Sequence, residues 1–405
     1  MSVAERPQLR PYLAASPEDP NRRRFIVHDL LRLNGAALRL TALELRWLPL
    51  FDGERTLRDI QAEAIRQVDG QIIPLEVFTR LASALDEALF LEGPRYRAAV
   101  DDPVRRPSCI GAYEADPDAL RRQIEKLFTG PGGPGLPHES RPDDGLRALL
   151  APHIDYARGG RTYAWGFKVL AERTPASLFV IVGTSHYCGH RRFQLTRKHF
   201  KTPLGIAHTD QDYIDRLVQH YGDGLFSDEL MAHMPEHSIE LEVVFLQYLF
   251  EGKRPIRIVP LVVGSFEDAV HSGSAPIERE EVRRMAEALR AVERETKEPI
   301  CYIVSGDLAH IGPKFGDYIA VHDSQLAHSR QQDHAILRQA VAADPAGYFR
   351  VIAEEGDSRR ICGLPPTYTV LEALRPSSGQ LLHYDQYVHP RGDESVSFAS
   401  VAFYR

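Results

Sequence analysis

The sequence predicts an α/β fold with three layers and a mainly parallel or mixed sheet over residues 146–405. Short apolar runs alternate there with longer amphipathic stretches, which is typical of strands joined by helices. Several runs, such as SLFVIVGT, are continuously apolar, which favours strands buried on both faces. Strands are expected at 146–152, 177–184, 256–264, 300–306, 381–388 and 395–403. Helices are expected at 160–172, 210–220, 238–250, 279–296 and 320–342.

A second, smaller domain is expected ahead of this α/β domain. A chain of 405 residues exceeds the usual size of one hydrophobic core. Residues 1–22 are rich in Pro and charge and are expected to be loose. Residues 23–98 suggest helices closed by a hairpin, with Thr56 as a helix N-cap and LEGPRYRAA as the strand of a wing. This pattern predicts a winged-helix-like domain, and 99–145 then reads as a linker, a helix and a Gly/Pro-rich loop.

Charge and composition argue against several classes of function. The net charge is −7, and the helix predicted in the small domain is acidic, so nucleic-acid binding is not expected. We therefore interpret the small domain as a packing module or a docking site for a peptide or partner. The sequence shows no signal peptide and no long apolar run, so no membrane association is expected. A cytoplasmic protein with reduced thiols is expected, because the four cysteines are widely spaced: Cys109, Cys188, Cys301 and Cys362.

Metal-capable side chains follow several of the predicted strands. His153 and His186 each follow one strand directly, and Asp307 and His310 follow a third. Because ligands bind beyond the carboxyl ends of strands in open α/β sheets, we expect these side chains to lie close together. Two imidazoles and a carboxylate are typical of non-heme Fe(II), whereas a thiolate such as Cys362 suits Zn, Fe or Cu(I). His310 is interpreted as a general acid/base whose tautomer is set by Asp307.

Simpler interpretations of these residues remain open. Asp307 is consistent with a helix N-cap, and Cys362 with an inert buried thiol. In the phrase PEHSIELE, Glu236 and His237 suit either the first turn of a helix or the mouth of a pocket. His237 and Glu240 also have the i, i+3 spacing of some helix-borne metal sites. For Glu236 and His237 we favour a role in the pocket, beside the metal ligands, over direct ligation.

Eight phrases of the sequence resemble the Memo family, the B component of the AmmeMemoRadiSam set. In family order they are APHIDY, GTSHYCG, TPLG, EHSIELEVVFLQY, IVPLVVG, VSGDLAHIG, ICGLPP and VSFASVAF. The resemblance implies metal ligands at His153, His186 and Cys362, with His310 and Asp307 lining the same pocket. Memo proteins are similar in fold to class III extradiol dioxygenases, which implies that His310 is the acid/base residue.

This resemblance implies a metal-dependent redox enzyme or dioxygenase-like protein. Fe(II) or Cu is the expected metal, and Zn is a further option. Implied partners are a radical SAM enzyme, other AmmeMemoRadiSam components, and a small molecule or peptide. The N-terminal domain resembles PqqD-type domains, which dock peptides on radical-enzyme systems. Two alternatives remain, namely a non-catalytic peptide- or partner-binding module and a metal-dependent hydrolase.

The sequence departs from the family phrases at two points that bear on chemistry. Ile154 and Asp155 replace the small pair that usually follows the first ligand. Asp155 is therefore expected to orient His153 or to compete for the metal. Cys362 stands where dioxygenases carry a Glu, and a thiolate would change the iron potential and would itself be oxidisable.

Overall fold

The computed structural model describes residues 5–138, 145–187 and 191–405. The chain divides into two compact units, Met1–Pro103 and Val104–Arg405. The division falls inside the segment expected to be a linker. The described part of 104–145 therefore belongs to the α/β unit.

The N-terminal unit contains a small sheet followed by helices. Its strands pair antiparallel in the order β1-β2-β3, with the bounds β1 Leu13–Pro17, β2 Arg24–Asp29 and β3 Ala37–Thr41. Its helices are α1 Ala42–Trp47, α2 Leu57–Arg66, α3 Leu75–Glu87 and α4 Pro94–Asp101. Thr56 caps α2 as predicted, because its hydroxyl accepts the Asp59 N–H while the Asp59 carboxylate accepts the Thr56 N–H. The core of the unit includes Trp47 and Phe78, whose ring centroids lie 5.0 Å apart.

Two expectations for this unit are wrong. The segment 1–22, expected to be loose, contains β1, which pairs with β2 along its whole length. The stretch LEGPRYRAA, expected to form the strand of a wing, instead contains α4, with Pro94 at a position that suits the first turn of a helix. The sheet of this unit therefore precedes its helices in the sequence.

The α/β unit carries strands and helices in alternation over most of its length. Its strands are β4 Val104–Arg105, β5 Leu146–Ala151, β6 Leu178–Thr184, β7 Phe193–Leu195, β8 His199–Thr202, β9 Gly205–Thr209, β10 Arg257–Val263, β11 Ile300–Ser305, β12 His310–Ile311, β13 Ser378–Val388 and β14 Ser395–Tyr404. Its helices are α5 Pro117–Thr129, α6 Tyr156–Arg173, α7 Gln211–Tyr221, α8 Glu229–His233, α9 Ser238–Phe250, α10 Glu267–Ser272, α11 Glu280–Glu295, α12 Asp323–Val341, α13 Pro345–Glu354 and α14 Leu364–Leu374. Each predicted strand and helix is present within a few residues of its expected bounds.

One mixed sheet organises the unit. Among the described residues it has eleven strands, in the order β12-β14-β5-β11-β6-β10-β9-β8-β4, with β13 beside β14 and β7 beside β10. The central strands β5, β11, β6 and β10 run parallel to one another. Ser305, the last residue of β11, pairs with Ala151 of β5 and with Gly183 of β6. Three neighbouring strands therefore end at nearly the same level.

Helices cover both faces of this sheet, as the continuous apolar strands predicted. Val180 and Val182 of β6 enter a core shared with α7, α11 and α14, whereas Phe179 and Ile181 enter another core with α5, α6 and α9. Side chains alternate between the faces of a strand, so a strand that is apolar throughout needs cover on both faces. The three-layer α/β prediction is confirmed. Within the described ranges, no helix combines the length and hydrophobicity needed to cross a membrane.

Candidate metal centre

Three adjacent parallel strands deliver polar side chains to one edge of the sheet. β5, β11 and β6 lie side by side, and His153, Asp307 and His186 each occupy the second position after one of them. The shared register of the strand ends explains why residues distant in sequence meet here. The arrangement agrees with the rule that ligands bind beyond the carboxyl ends of strands.

A close backbone contact brings Cys362 to the same edge. A Cβ atom on Gly306 would lie 2.5 Å from the Cα of Gly363. The two backbone segments could therefore not approach each other this closely if a larger residue replaced either glycine. The Sγ of Cys362 accepts the Asp307 N–H at 3.3 Å as a result. The glycine in I-C-G-L-P-P therefore has a packing role that fixes the position of the thiol.

His153 lies at the centre of the site and is buried. Its backbone N–H donates to Oδ1 of Asp307 at 3.0 Å, and its Nδ1 lies 3.3 Å from the Ser305 carbonyl oxygen. A proton on Nδ1 leaves the lone pair on Nε2, which lies 3.1 Å from Sγ of Cys362. Burial, reinforced by neighbouring histidines such as His186, lowers the pKa of His153 well below its ordinary value. The ring is therefore neutral, which is the form that binds metals.

Two further imidazoles and a buried carboxylate form what we call the imidazole side of the site, consisting of His186, His237 and Glu236. The ring centroids of His186 and His237 lie 4.7 Å apart in a stacked arrangement, and both lie within 5.2 Å of the His153 ring. Oε1 of Glu236 lies 3.0 Å from Nδ1 of His186 and 3.3 Å from Nδ1 of His237. One carboxylate therefore holds both rings.

On the imidazole side, the histidines and backbone donors stabilise the negative charge of Glu236. Burial alone would raise the pKa of Glu236, but His186, His237 and backbone N–H donors outweigh it and hold that pKa far below its usual range. Burial alone would likewise lower the pKa of His186, but the Glu236 carboxylate outweighs it and raises that pKa above its ordinary value. Glu236 is thus an anion whose position is fixed by donors on all sides.

Asp307 and Cys362 form what we call the thiol side, where burial favours the protonated forms. Burial, together with the charge of Asp307, raises the pKa of the Cys362 thiol well above its ordinary value. Burial also raises the pKa of Asp307 to about 7. A thiol becomes a good ligand only as thiolate, so a cation bound here would have to displace a proton.

The site offers two sets of donors that fit a metal ion. In each set the ligand atoms lie within 4.8 Å of one another. One set contains His153, His186 and His237, and the other contains His153, Asp307 and Cys362. Imidazole, thiolate and carboxylate donors together suit first-row transition metals such as Zn, Fe or Cu. The residues present therefore fit a metal, with His153 common to both sets.

His310 has different partners from those expected. Its Nδ1 lies 3.0 Å from the Arg360 carbonyl oxygen and 3.2 Å from that of Leu308, so backbone carbonyls set its tautomer. The expected role of Asp307 in orienting His310 is wrong, because Asp307 accepts the His153 N–H instead. Burial lowers the pKa of His310 to about 4, so its ring is neutral at physiological pH.

Two carboxylates expected near the metal serve the fold instead. Asp155 caps helix α6, where its side chain accepts the Arg158 N–H at 3.0 Å and pairs with the Arg158 guanidinium. A carboxylate at a helix N-terminus is well placed for this role, which explains the departure from the family phrase. Glu240 accepts hydrogen bonds from the Ser108 N–H at 2.9 Å and from the buried guanidinium of Arg105. The suggestion of a metal pair from its i, i+3 spacing with His237 is therefore wrong.

Arg105 is a residue that sequence analysis missed. Its Nε donates to the His233 carbonyl at 2.8 Å, its Nη2 donates to the Glu236 carbonyl at 2.6 Å, and it forms a buried ion pair with Glu240. Arg105 thus fixes the start of α9, where Glu236 is placed. The prolines and charged residues around Arg105 suggested a linker, and no local sequence pattern indicated that Arg105 is buried.

Two other described cysteines, Cys109 and Cys301, belong to neither donor set. Cys109 and Cys301 are buried free thiols, and Cys362 is a free thiol of intermediate exposure. The fourth cysteine, Cys188, lies outside the described residues. Among the described cysteines, the thiol that lies beside His153 is that of Cys362.

Comparison with known proteins matches the same part of the chain. Residues 105–402 match the family model for Memo-like proteins. A MEMO1 family protein from Aquifex aeolicus is 26% identical over 393 residues, which cover 94% of this chain and 96% of the relative. A MEMO1 family protein from Methanopyrus kandleri is 31% identical over 309 residues, which cover 74% of this chain and 99% of the relative. The matched region contains β5, β6 and β11, the strands whose ends carry the donor residues. This chain belongs to the Memo-like protein family.

Proposed function

We propose that this protein is a metal-dependent redox protein whose metal is held by His153, His186 and Cys362. The observation that carries the proposal is the placement of a neutral, buried His153 with its Nε2 atom 3.1 Å from the Cys362 thiol. Fe or Cu is favoured over Zn, because a redox role needs a metal that changes oxidation state and both accept imidazole and thiolate. When bound, such a metal would supply Lewis-acid and electron-transfer chemistry.

The chain's own residues prepare this pocket for a metal. The Ser305 carbonyl fixes the tautomer of His153, and Glu236 does the same for His186. Partners of this kind orient the ring and raise its basicity as a ligand. Burial of His153 excludes water from its ring and keeps it neutral. Cys362 would contribute an anionic donor once its proton has left.

His310 is the residue proposed to move a proton. With Nδ1 facing the carbonyls of Leu308 and Arg360, Nε2 carries the lone pair. A pKa of about 4 makes the neutral ring the resting form, so His310 would first accept a proton from a substrate and then return it. Asp307 would hold the backbone of His153 in place.

A small cavity beside the thiol supports a small-molecule ligand. It has a volume of about 210 Å³ and reaches Cys362. Phe266 and Leu364 give it apolar walls, and Arg360 adds a guanidinium. A space of this size suits a compact organic molecule better than a long peptide. A peptide ligand or a radical SAM partner is supported only by the family resemblance, and for the partner the N-terminal unit is the proposed docking site.

The metal content of protein purified without oxygen tests this proposal. Elemental analysis is expected to find nearly one Fe or Cu per chain in the wild type, less in Cys362→Ala, and none in a His153→Ala/His186→Ala double variant. Full retention of metal by the double variant would contradict the proposal. A wild type that holds no metal and refuses Fe(II) and Cu(I) would favour a non-catalytic binding module. Turnover of esters or phosphoesters with Zn or Mn would favour a hydrolase.

A further inference from the structure

We infer that His237 is a direct ligand of the metal held by His153 and His186. This inference rests on the metal site proposed above and extends its ligand set. The ligand atoms of the three histidines lie within 4.8 Å of one another. The ring of His237 lies 5.2 Å from that of His153 and 4.7 Å from that of His186. The three imidazoles therefore surround one small volume at the sheet edge.

Helix capping does not account for His237. It occupies the N-cap position of α9, where Ser, Thr, Asp or Asn usually accept a backbone N–H. The His237 side chain makes no such capping hydrogen bond. Glu236 supplies the cap instead, because its Oε1 accepts the N–H groups of His237 at 2.9 Å and Ser238 at 3.0 Å. The position of the imidazole beside the other histidines is therefore not set by capping of the helix.

Glu236 gives His186 and His237 a common orientation. Its carboxylate bonds Nδ1 of His186 and lies 3.3 Å from Nδ1 of His237. A proton on Nδ1 places the lone pair on Nε2, and a carboxylate behind a ligating histidine is the usual way to fix that form. A single buried anion that faces two neighbouring rings is expected where both rings bind the same cation.

The support beneath this arrangement is rigid. Glu236 is 1% exposed, and its carbonyl accepts a hydrogen bond from the buried guanidinium of Arg105. The same guanidinium holds the His233 carbonyl and the Glu240 carboxylate. A ligand set must be held closely to its productive geometry, and a fully bonded Arg beneath the helix start provides that. The His237 side chain itself is 31% exposed, so solutes can reach it.

The inference changes the number of imidazoles around the metal. The set implied by family resemblance has two imidazoles and one thiolate, whereas the set inferred here adds a third imidazole from His237. Three imidazoles with an open position suit Cu(II), Zn or Fe(II). The two sets can be distinguished by counting nitrogens, whatever the activity of the protein.

Pulsed electron paramagnetic resonance with Cu(II) provides that count. One equivalent of Cu(II) is added to full-length protein carrying Cys362→Ser, which prevents oxidation of the thiol by the probe. Three equatorial imidazoles are expected, and two are expected after adding His237→Ala. A count of two that His237→Ala leaves unchanged would overturn the inference.

A Co(II) titration in the protein with its native cysteine provides an independent measurement. His237→Ala is expected to weaken Co(II) binding at least tenfold, whereas the control His220→Ala is expected to bind as the wild type does. His220 is a matched control because its side chain is 32% exposed and also lies beside a glutamate, Glu295. If Cys362→Ser does not take up Cu(II), this comparison decides the inference, and equal affinities for wild type and His237→Ala would overturn it. A wild type that binds no Co(II) would instead contradict the proposed metal function.

Thermal melts of each variant separate loss of a ligand from loss of the fold. The count in the Cys362→Ser protein does not depend on substituting His237 at all. A count of two there would overturn the inference even if His237→Ala unfolds.

Discussion

The imidazole side and the thiol side of the site share His153 but are prepared for a cation in opposite ways. On the imidazole side, Glu236 is an anion with a pKa far below its usual range, and its carboxylate accepts hydrogen bonds from the N–H groups of His186 and His237. On the thiol side, burial raises the pKa of Cys362 well above its ordinary value and that of Asp307 to about 7. A cation would meet an anion already in place behind the imidazoles on one side, and on the other it would have to displace the proton of the thiol.

The two sides also differ in how the backbone builds them. The imidazole side depends on the start of α9, which Arg105 and Glu236 fix through hydrogen bonds. The thiol side depends on the contact of Gly306 with Gly363, which is steric. Polar substitutions should therefore damage the first side, and added volume should damage the second.

The largest effect is expected from His153→Ala, because only this residue belongs to both donor sets. We expect metal affinity to fall by more than about 100-fold, or roughly 2.7 kcal/mol. His186→Ala and Cys362→Ala should each lose less, since each leaves one donor set intact. Co(II) titrations of the three variants check this order. An affinity for His153→Ala equal to that of His186→Ala would mean that His153 contributes no more to metal binding than a ligand that belongs to one donor set.

Gly306→Ala should disturb the thiol side selectively. Its Cβ would lie 2.5 Å from the Cα of Gly363, which is backbone and cannot rotate away. We expect a loss of about 2 kcal/mol in the free energy of unfolding, as for other overpacked sites. Urea denaturation measures it, with Gly93→Ala as control, because a Cβ there meets only Asp86 at 3.5 Å.

The same variant also has a spectroscopic consequence. Thiolate-to-Co(II) absorption should weaken in Gly306→Ala as the Cys362 loop moves away from Asp307. The number of imidazoles bound to Cu(II) should not change, because the hydrogen bonds that Glu236 makes to His186, His237 and Ser238 do not involve this glycine pair. Loss of imidazoles instead would mean that the two sides are coupled through the backbone.

The edge of the sheet could be predicted from the sequence, but its supporting contacts could not. Continuous apolar runs define β5, β6 and β11, and the polar residues that follow them must meet where parallel strands end. Arg105 reaches Glu240 across 135 positions, and no periodicity signals such a pair. The strand β1 was missed because its side chains are only partly buried or exposed, which leaves little alternation to detect.

Local ambiguity explains the errors close to the site. Asp155 follows a candidate ligand by two positions, and the same acidic residue suits a metal pocket or a helix N-cap. The choice depends on backbone direction after Ile154, which the sequence alone does not give. The prediction that Asp307 orients His310 followed from their proximity in sequence. In the structure, the carbonyl oxygen of Arg360 occupies the hydrogen-bonding position at Nδ1 of His310.

Glu236→Gln should weaken the imidazole side by about tenfold in metal affinity, within the range known for partners of ligating histidines. The amide keeps the size of the side chain but removes the negative charge that raises the pKa of His186. Co(II) titration measures the change, and NMR of the His186 ring should show its pKa shifting downward. Glu295→Gln is the matched control, because Glu295 contacts His220 away from the site. Equal effects of the two variants on Co(II) affinity would mean that Glu236 does not support the metal ligands.

The smallest effect is a difference in pH dependence between the two sides. Because the Cys362 thiol must lose its proton to bind, affinity at this side should rise with pH through the range below its raised pKa. The limiting slope is about tenfold per pH unit for one proton released. Asp307, with a pKa of about 7, adds to the slope near neutrality if it too binds as a carboxylate. Cys362→Ser removes the thiol proton, so its Co(II) affinity between about pH 7 and 8 should rise less steeply than that of the wild type. Parallel slopes would mean that the metal is held without the thiolate, and the imidazole side would then account for binding by itself.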